Sequence, residues 1–135
     1  MRILLLCSVN EFCAVVWDLE HTERSSNSNS NEYNTAIIFK PPSEEPISSI
    51  SWLQDHHTLA VGTSISYVRI YDIRMDNTTS EVLSISAHLA TRPRKIKGIR
   101  QDPFSDNTIA TFSDSALEPV KIWDLRKVRY MCDIY

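Results

Sequence analysis

Asp55, His56 and His57 stand side by side and come nearest in this sequence to a metal-binding or acid–base set. A zinc site needs three or four donors at suitable spacing. The other histidines, His21 and His88, lie in unrelated stretches, and adjacent histidines on a strand point to opposite faces. The trio is read as turn residues, and no metal is expected. Glu44 and Glu45 pair two carboxylates as general acid–base catalysis requires. They lie among prolines and serines, where no burial is expected to raise a pKa. Cys7, Cys13 and Cys132 include no C-x-x-C pair and no cysteine with a base partner; Cys7 and Cys13 sit in apolar runs, where a reduced cysteine packs as a small hydrophobe. The odd set points to a reducing, cytosolic compartment. No Gly-x-Ser-x-Gly occurs. No catalytic residue is assigned, and the chain is read as non-enzymatic.

Cofactor chemistry fares no better. Only Gly62 and Gly98 are glycines among 135 residues, so no Gly-rich phosphate cradle can be written, and no cofactor is expected. Arg92, Arg94, Lys95 and Lys97, with Arg100 nearby, form a basic cluster able to meet phosphates on nucleic acid or a phosphoinositide surface. No aromatic residue alternates with these cations as a stacking platform would require, and the net charge is −3. A solvated loop at 92–100 is the reading taken. Met1-Arg2 followed by Ile-Leu-Leu-Leu-Cys imitates a signal peptide, but the apolar run is too short and reads as a buried strand.

The elements that position these residues repeat along the chain. Val15-Val16-Trp17-Asp18-Leu19 is matched by Arg69-Ile70-Tyr71-Asp72-Ile73-Arg74 and by Lys121-Ile122-Trp123-Asp124-Leu125-Arg126. The aspartates are 54 and then 52 residues apart. Each unit breaks into runs of strand length bounded by turn formers. The middle unit predicts strands at Ile47–Leu53, His57–Thr63, Tyr67–Arg74 and Glu81–Ala87, forming one antiparallel sheet in sequential order. The last predicts Ile96–Gln101, Thr108–Phe112, Val120–Arg126 and Tyr130–Ile134. The first begins in its second strand, at Ile3–Cys7, and its fourth, Thr35–Lys40, follows a solvated Ser/Asn-rich loop at Ser25–Asn31. Repeated units of four short strands mean β-propeller blades. The fold class is all-β: a partial propeller of about two and a half four-stranded antiparallel blades, at residues 1–40, 47–87 and 95–135. A propeller needs at least four blades of roughly 40 residues, so inter-blade faces are expected to be exposed and the chain alone poorly soluble or oligomeric.

Trp17-Asp18, Tyr71-Asp72 and Trp123-Asp124 each close a third strand, as the signature dipeptide does in WD-repeat propellers, which these units resemble. The resemblance implies a hydrogen-bonded set of His88, Thr111, Asp114 and Trp123 in the last blade. The middle blade, with Tyr71 in place of tryptophan and no matching aspartate, is expected to have its set broken. Ile50-Ser51-Trp52-Leu53, Leu59-Ala60-Val61-Gly62 and Ile70–Arg74 look like a blade of the Mios (missing oocyte) family of GATOR/SEA complex subunits. Lys97-Gly98-Ile99, Asp102-Pro103-Phe104, Ile109–Phe112 and Ile122–Lys127 are closer still. What this implies is a scaffold that holds other WD-repeat subunits of a nutrient-sensing complex regulating the TOR kinase. It would be cytoplasmic, reaching the lysosomal or vacuolar membrane surface only through partners, and would bind no nucleic acid.

Arg74 and Arg126 each follow an aromatic-Asp-aliphatic triplet at a strand end. They are candidate partner-docking residues, set against an intrablade ion pair as the simpler reading. The Trp123-Asp124-Leu125-Arg126 ending resembles the docking element of cullin–RING substrate receptors, which is the alternative function. Nucleic-acid or phosphoinositide binding through the basic loop is the second alternative.

Overall fold

The computed structural model describes residues 5–9, 13–18, 35–39, 45–75, 81–88 and 92–127, without the side chains of 5–9, 17–18 and 35–39. Every regular element in it is a strand. The first sheet holds β1 (Leu5–Val9), β2 (Ala14–Asp18) and β3 (Thr35–Phe39); the second holds β4 (Ile47–Trp52), β5 (Thr58–Thr63), β6 (Tyr67–Asp72) and β7 (Glu81–Ser86). The third holds β8 (Ile96–Gln101), β9 (Thr108–Ser113) and β10 (Val120–Asp124). All pairs are antiparallel and each sheet runs in sequence order, the middle one as β4-β5-β6-β7, as the sequence predicts. The Ser/Asn tract and the expected strand at Tyr130–Ile134 lie outside the described residues.

Strand ends differ from expectation by one or two residues, for a local reason. The second strand of the middle sheet starts at Thr58 rather than His57 because Asp55 captures the turn before it. Its carboxylate accepts the N–H groups of His57 (3.0 Å) and Thr58 (2.8 Å) and the Thr58 hydroxyl. His56 completes the turn in the left-handed region, at φ 57°. The third strands end at Asp72 and Asp124, because each aspartate turns back onto the N–H of the arginine two residues on.

Two apolar layers lie between the three sheets. Ala14 and Val16 of the first sheet meet Ile47, Leu59, Val61 and Tyr71 of the second. On the other side Ala60, Val68, Ile70 and Ile85 meet Ile96, Ile99, Ile109 and Trp123 of the third. Successive residues of a strand point to opposite faces, so Leu59 and Val61 go one way and Ala60 the other. That accounts for the unbroken apolar run Leu59-Ala60-Val61. The middle sheet is covered on both sides, and full burial of each such aliphatic chain contributes about 1.5–3 kcal/mol.

The third sheet shows what its neighbour does for the second. Val68 and Ile70 are 0% and 3% exposed, whereas Val120 and Ile122, at the matching places of the third sheet, are 49% and 67% exposed. Among the described residues no sheet packs over this face of the third sheet. Phe112 stands where the second sheet has Gly62, and it is half exposed.

The edge strands β4 and β8 each carry a bulge, between Ile47 and Ser49 and between Ile96 and Gly98. The extra residue Ser48 spends its hydroxyl on the sheet interface, reaching the carbonyls of Ile96 (2.7 Å) and Gly62 (3.2 Å). At the opposite end of these strands Gln54 bonds Gln101 Oε1 through its N–H (2.5 Å) and the Asp102 carbonyl through its side chain (2.8 Å).

Gly62 is required by this close approach. A Cβ there would lie 2.6 Å from Ile96 Cγ2 and would strike Ser49 Oγ, while one at Gly98 would meet only Phe112 Cδ2 at 3.5 Å. Gly62→Ala is expected to cost about 1–3 kcal/mol by overpacking. Gly98→Ala is expected to be close to neutral. Urea unfolding followed by tryptophan fluorescence distinguishes the two; equal midpoints would show that the sheets are not so tightly opposed.

Candidate functional site

Three of the four residues expected to form a hydrogen-bonded set in the last blade come together. Thr111, on β9, accepts the Trp123 indole N–H on Oγ1 at 2.9 Å, and His88 Nε2 lies 2.9 Å from the same oxygen. All three are buried, His88 and Thr111 almost completely. A hydroxyl that accepts from indole can donate to imidazole, which places the ring proton on Nδ1. Burial, and then the nearby Lys121 charge, lower the His88 pKa and favour that neutral ring. His88 precedes the third sheet in sequence, so this bond fastens the connection after β7 to the sheet that follows.

Asp114 does not join. It is exposed, and His88 Nδ1 is left buried without a bond. Asp114 lies one residue past the end of β9, in the bend that follows, and is turned to solvent, whereas Thr111 and Ser113 share the buried face of the strand. The turn that was expected to supply the aspartate is closed by serines instead. Ser113 Oγ donates to the Glu118 carbonyl at 3.0 Å, and Ser115 Oγ accepts the Glu118 N–H at 3.2 Å.

The middle blade replaces its neutral set with charges. Arg69, on β6, is 8% exposed and bonds Glu45 through Nε (2.9 Å) and Nη2 (2.6 Å), while its Nη1 reaches Glu81 Oε1 at 3.0 Å. Tyr71 directs its hydroxyl to Glu81 Oε2 at 3.5 Å, and its pKa is raised by burial first and by the Glu81 charge next. Glu45 is 5% exposed, which corrects the expectation that no burial occurs there. The guanidinium bond holds the Arg69 pKa up against desolvation. Arg69 and Glu45 were missed in the sequence because an Arg in the otherwise apolar β6 has no local signal of its partner 24 residues earlier. Trp17 and Asp18 end β2, with side chains outside the described residues.

Arg74 and Arg126 do the same thing in two blades. Arg74 clasps Asp72 through Nε (3.0 Å) and Nη2 (2.7 Å); Arg126 clasps Asp124 through Nε (3.0 Å) and Nη2 (2.8 Å). These bonds, with the arginine N–H, lower both aspartate pKa values to about 2. Each guanidinium remains largely exposed, at 63% and 68% for the side chains. The simpler intrablade pair is therefore formed, and the exposed fork stands at the blade rim.

No protein-family model matches the chain. It is 35% identical over 109 residues to the GATOR2 complex protein MIOS of Dictyostelium discoideum, an alignment covering 77% of this chain and 9% of that protein. To the GATOR2 complex protein Mio of Drosophila melanogaster it is 23% identical over 120 residues, 89% of this chain and 11% of the relative. Among solved structures it superposes on Chaetomium thermophilum Raptor with a TM-score of 0.64 at 11% identity, covering 90% of this chain and 10% of that one. The chain forms WD-repeat propeller blades and resembles Mios.

The chain spans about a tenth of the length of these Mios relatives. What the Mios-like blades offer is shape and charge at rims and connections. Among the described residues no group of three His, Cys, Asp or Glu side chains is placed to hold a metal, and no helix is long and apolar enough to cross a membrane.

Thr111→Val leaves two buried ring nitrogens without their shared partner and is expected to cost about 2 kcal/mol, with Thr111→Ser largely restoring it. His88 has a folded pKa below its unfolded value, so its contribution is complete above about pH 6.5 and is lost as pH falls through the folded pKa. Urea midpoints measured between neutral and acid pH should fall over that window, and less steeply in His88→Gln. An unchanged slope would remove His88 from the buried set.

Proposed function

We propose that this chain is part of a Mios-like scaffold subunit of a GATOR2-type complex that regulates TOR kinase signalling. Its blades serve as a rigid frame for protein partners and carry out no chemistry of their own. The observation that carries this reading is the 35% identity, over 109 residues, to a GATOR2 complex protein. The partners are other WD-repeat subunits of the assembly. The complex works in the cytoplasm and meets the lysosomal or vacuolar surface through those partners.

A cullin–RING substrate receptor is the second reading, favoured by the exposed Arg126 fork at the end of Trp123-Asp124-Leu125. In that case Arg126 is the docking group, although it already holds Asp124 and would have to share or exchange that partner. Losing a charge-paired interface arginine typically costs roughly 2–5 kcal/mol.

Affinity purification of the full-length product tests both readings. The Mios-like reading expects co-purification of other WD-repeat subunits, retained in Arg126→Ala because assembly rests on broad surfaces. Trp123→Ala should weaken assembly by opening a core cavity, at about 3–5 kcal/mol. Recovery of a cullin adaptor with the wild type, lost in Arg126→Ala, would overturn the reading.

A further inference from the structure

Four of the ten described lysine and arginine side chains are paired with carboxylates. They are Arg69, which holds two, and Arg74, Lys121 and Arg126, which hold one each. The connection between β7 and β8 is different. From Val82 to Gln101 the sequence contains no Asp or Glu, yet it carries Arg92, Arg94, Lys95, Lys97 and Arg100. Arg94 is half-buried and the other four are exposed. Among the described residues none of the five has a carboxylate partner; Arg100 donates only to the Ile99 carbonyl, at 3.0 Å. Lys127, at the far end of β10, is the other described cation without one.

The backbone under these cations is held at both ends. Ser66, fully buried and at φ 76°, places its hydroxyl 3.1 Å from the carbonyls of both His88 and Arg94 and accepts the Arg94 N–H at 2.5 Å. The His88 ring is fastened to Thr111 in the third sheet. One hydroxyl thus closes the neck of the connection, and β8 begins two residues later. Cations left without counter-charge on a fixed backbone lose little conformational freedom on meeting an anion.

We propose that the β7–β8 connection, with the start of β8, binds an acidic polypeptide segment, a short run of Asp and Glu on a partner protein. Arg92 and Arg94 offer planar forks suited to carboxylates, and Lys95 and Lys97 add point charges. A polypeptide is favoured over nucleic acid because no aromatic residue interleaves with the cations and the net charge of −3 opposes a long polyanion. The proposal does not depend on which complex the chain belongs to.

The test is fluorescence anisotropy on the 135-residue chain with a labelled octapeptide of alternating Asp and Glu. Binding is expected at low ionic strength and should weaken as salt is added. The triple variant Arg92→Glu, Lys95→Glu, Lys97→Glu should bind at least about tenfold more weakly, whereas Lys127→Glu should bind as the wild type does. The same triple variant should gain binding to a lysine octapeptide, an outcome misfolding would not produce. Absence of binding by the wild type, retention of it in the triple variant, or no gain toward the lysine peptide would overturn the proposal. So would tighter binding of a thymidine oligonucleotide or of phosphoinositide vesicles than of the acidic peptide.

Discussion

A short antiparallel sheet with apolar residues on both faces is stable only between two other sheets. That constraint governs this molecule. Leu59 and Val61 on one face of β5, and Ala60 on the other, are all buried, although they are consecutive in sequence. Neither sheet neighbour alone could cover them. The polar devices at the same interface follow from that packing: Ser48 and Gln54 cross between β4 and the third sheet because the strands are already close, and Gly62 lacks a side chain because Ile96 takes its space.

Two chemistries solve one problem in adjacent blades. A connection that arrives from the preceding sheet has to be fixed to the sheet it begins. In the third blade the link is neutral, with His88 and Trp123 sharing the Thr111 hydroxyl. In the second it is ionic, with Glu45 entering just before β4 and pairing with Arg69 of strand β6. A buried ion pair has a desolvation cost that its own attraction offsets only with good geometry, and here Arg69 is held by two carboxylates. The neutral link weakens on acidification, as pH falls through the lowered pKa of the buried His88 imidazole. The two blades thus differ in how pH reaches them, although their strands superimpose in sequence.

What was legible in the sequence is whatever local periodicity and repetition encode. The Trp123-Asp124-Leu125-Arg126 ending marked a strand end, and the structure places strand, turn and Asp–Arg clasp there. Thr111 could be joined to Trp123 because the resemblance to WD repeats implies that pair, and the structure forms it. Asp114 could not be excluded in that way, since its failure depends on β9 ending one residue earlier, at Ser113, and on the course of the turn that follows. Glu45 looked like a solvated loop residue because its partner Arg69 is distant in sequence and sits in a strand that otherwise reads as apolar. Long-range ionic contacts leave no periodic trace.

The account rests on neighbouring blades covering one another, and one pair of substitutions tests it directly. Ile70 and Ile122 occupy matching places in β6 and β10, but only Ile70 has a sheet packed over it. Amide hydrogen exchange should be measured on the wild-type chain, on Ile70→Asp and on Ile122→Asp. The account predicts that Ile70→Asp strips protection from β5, β6, β8 and β9 together, and that Ile122→Asp leaves protection in place while making the chain less prone to self-associate. Equal loss of protection in both variants would contradict it, because the two faces would then be covered alike.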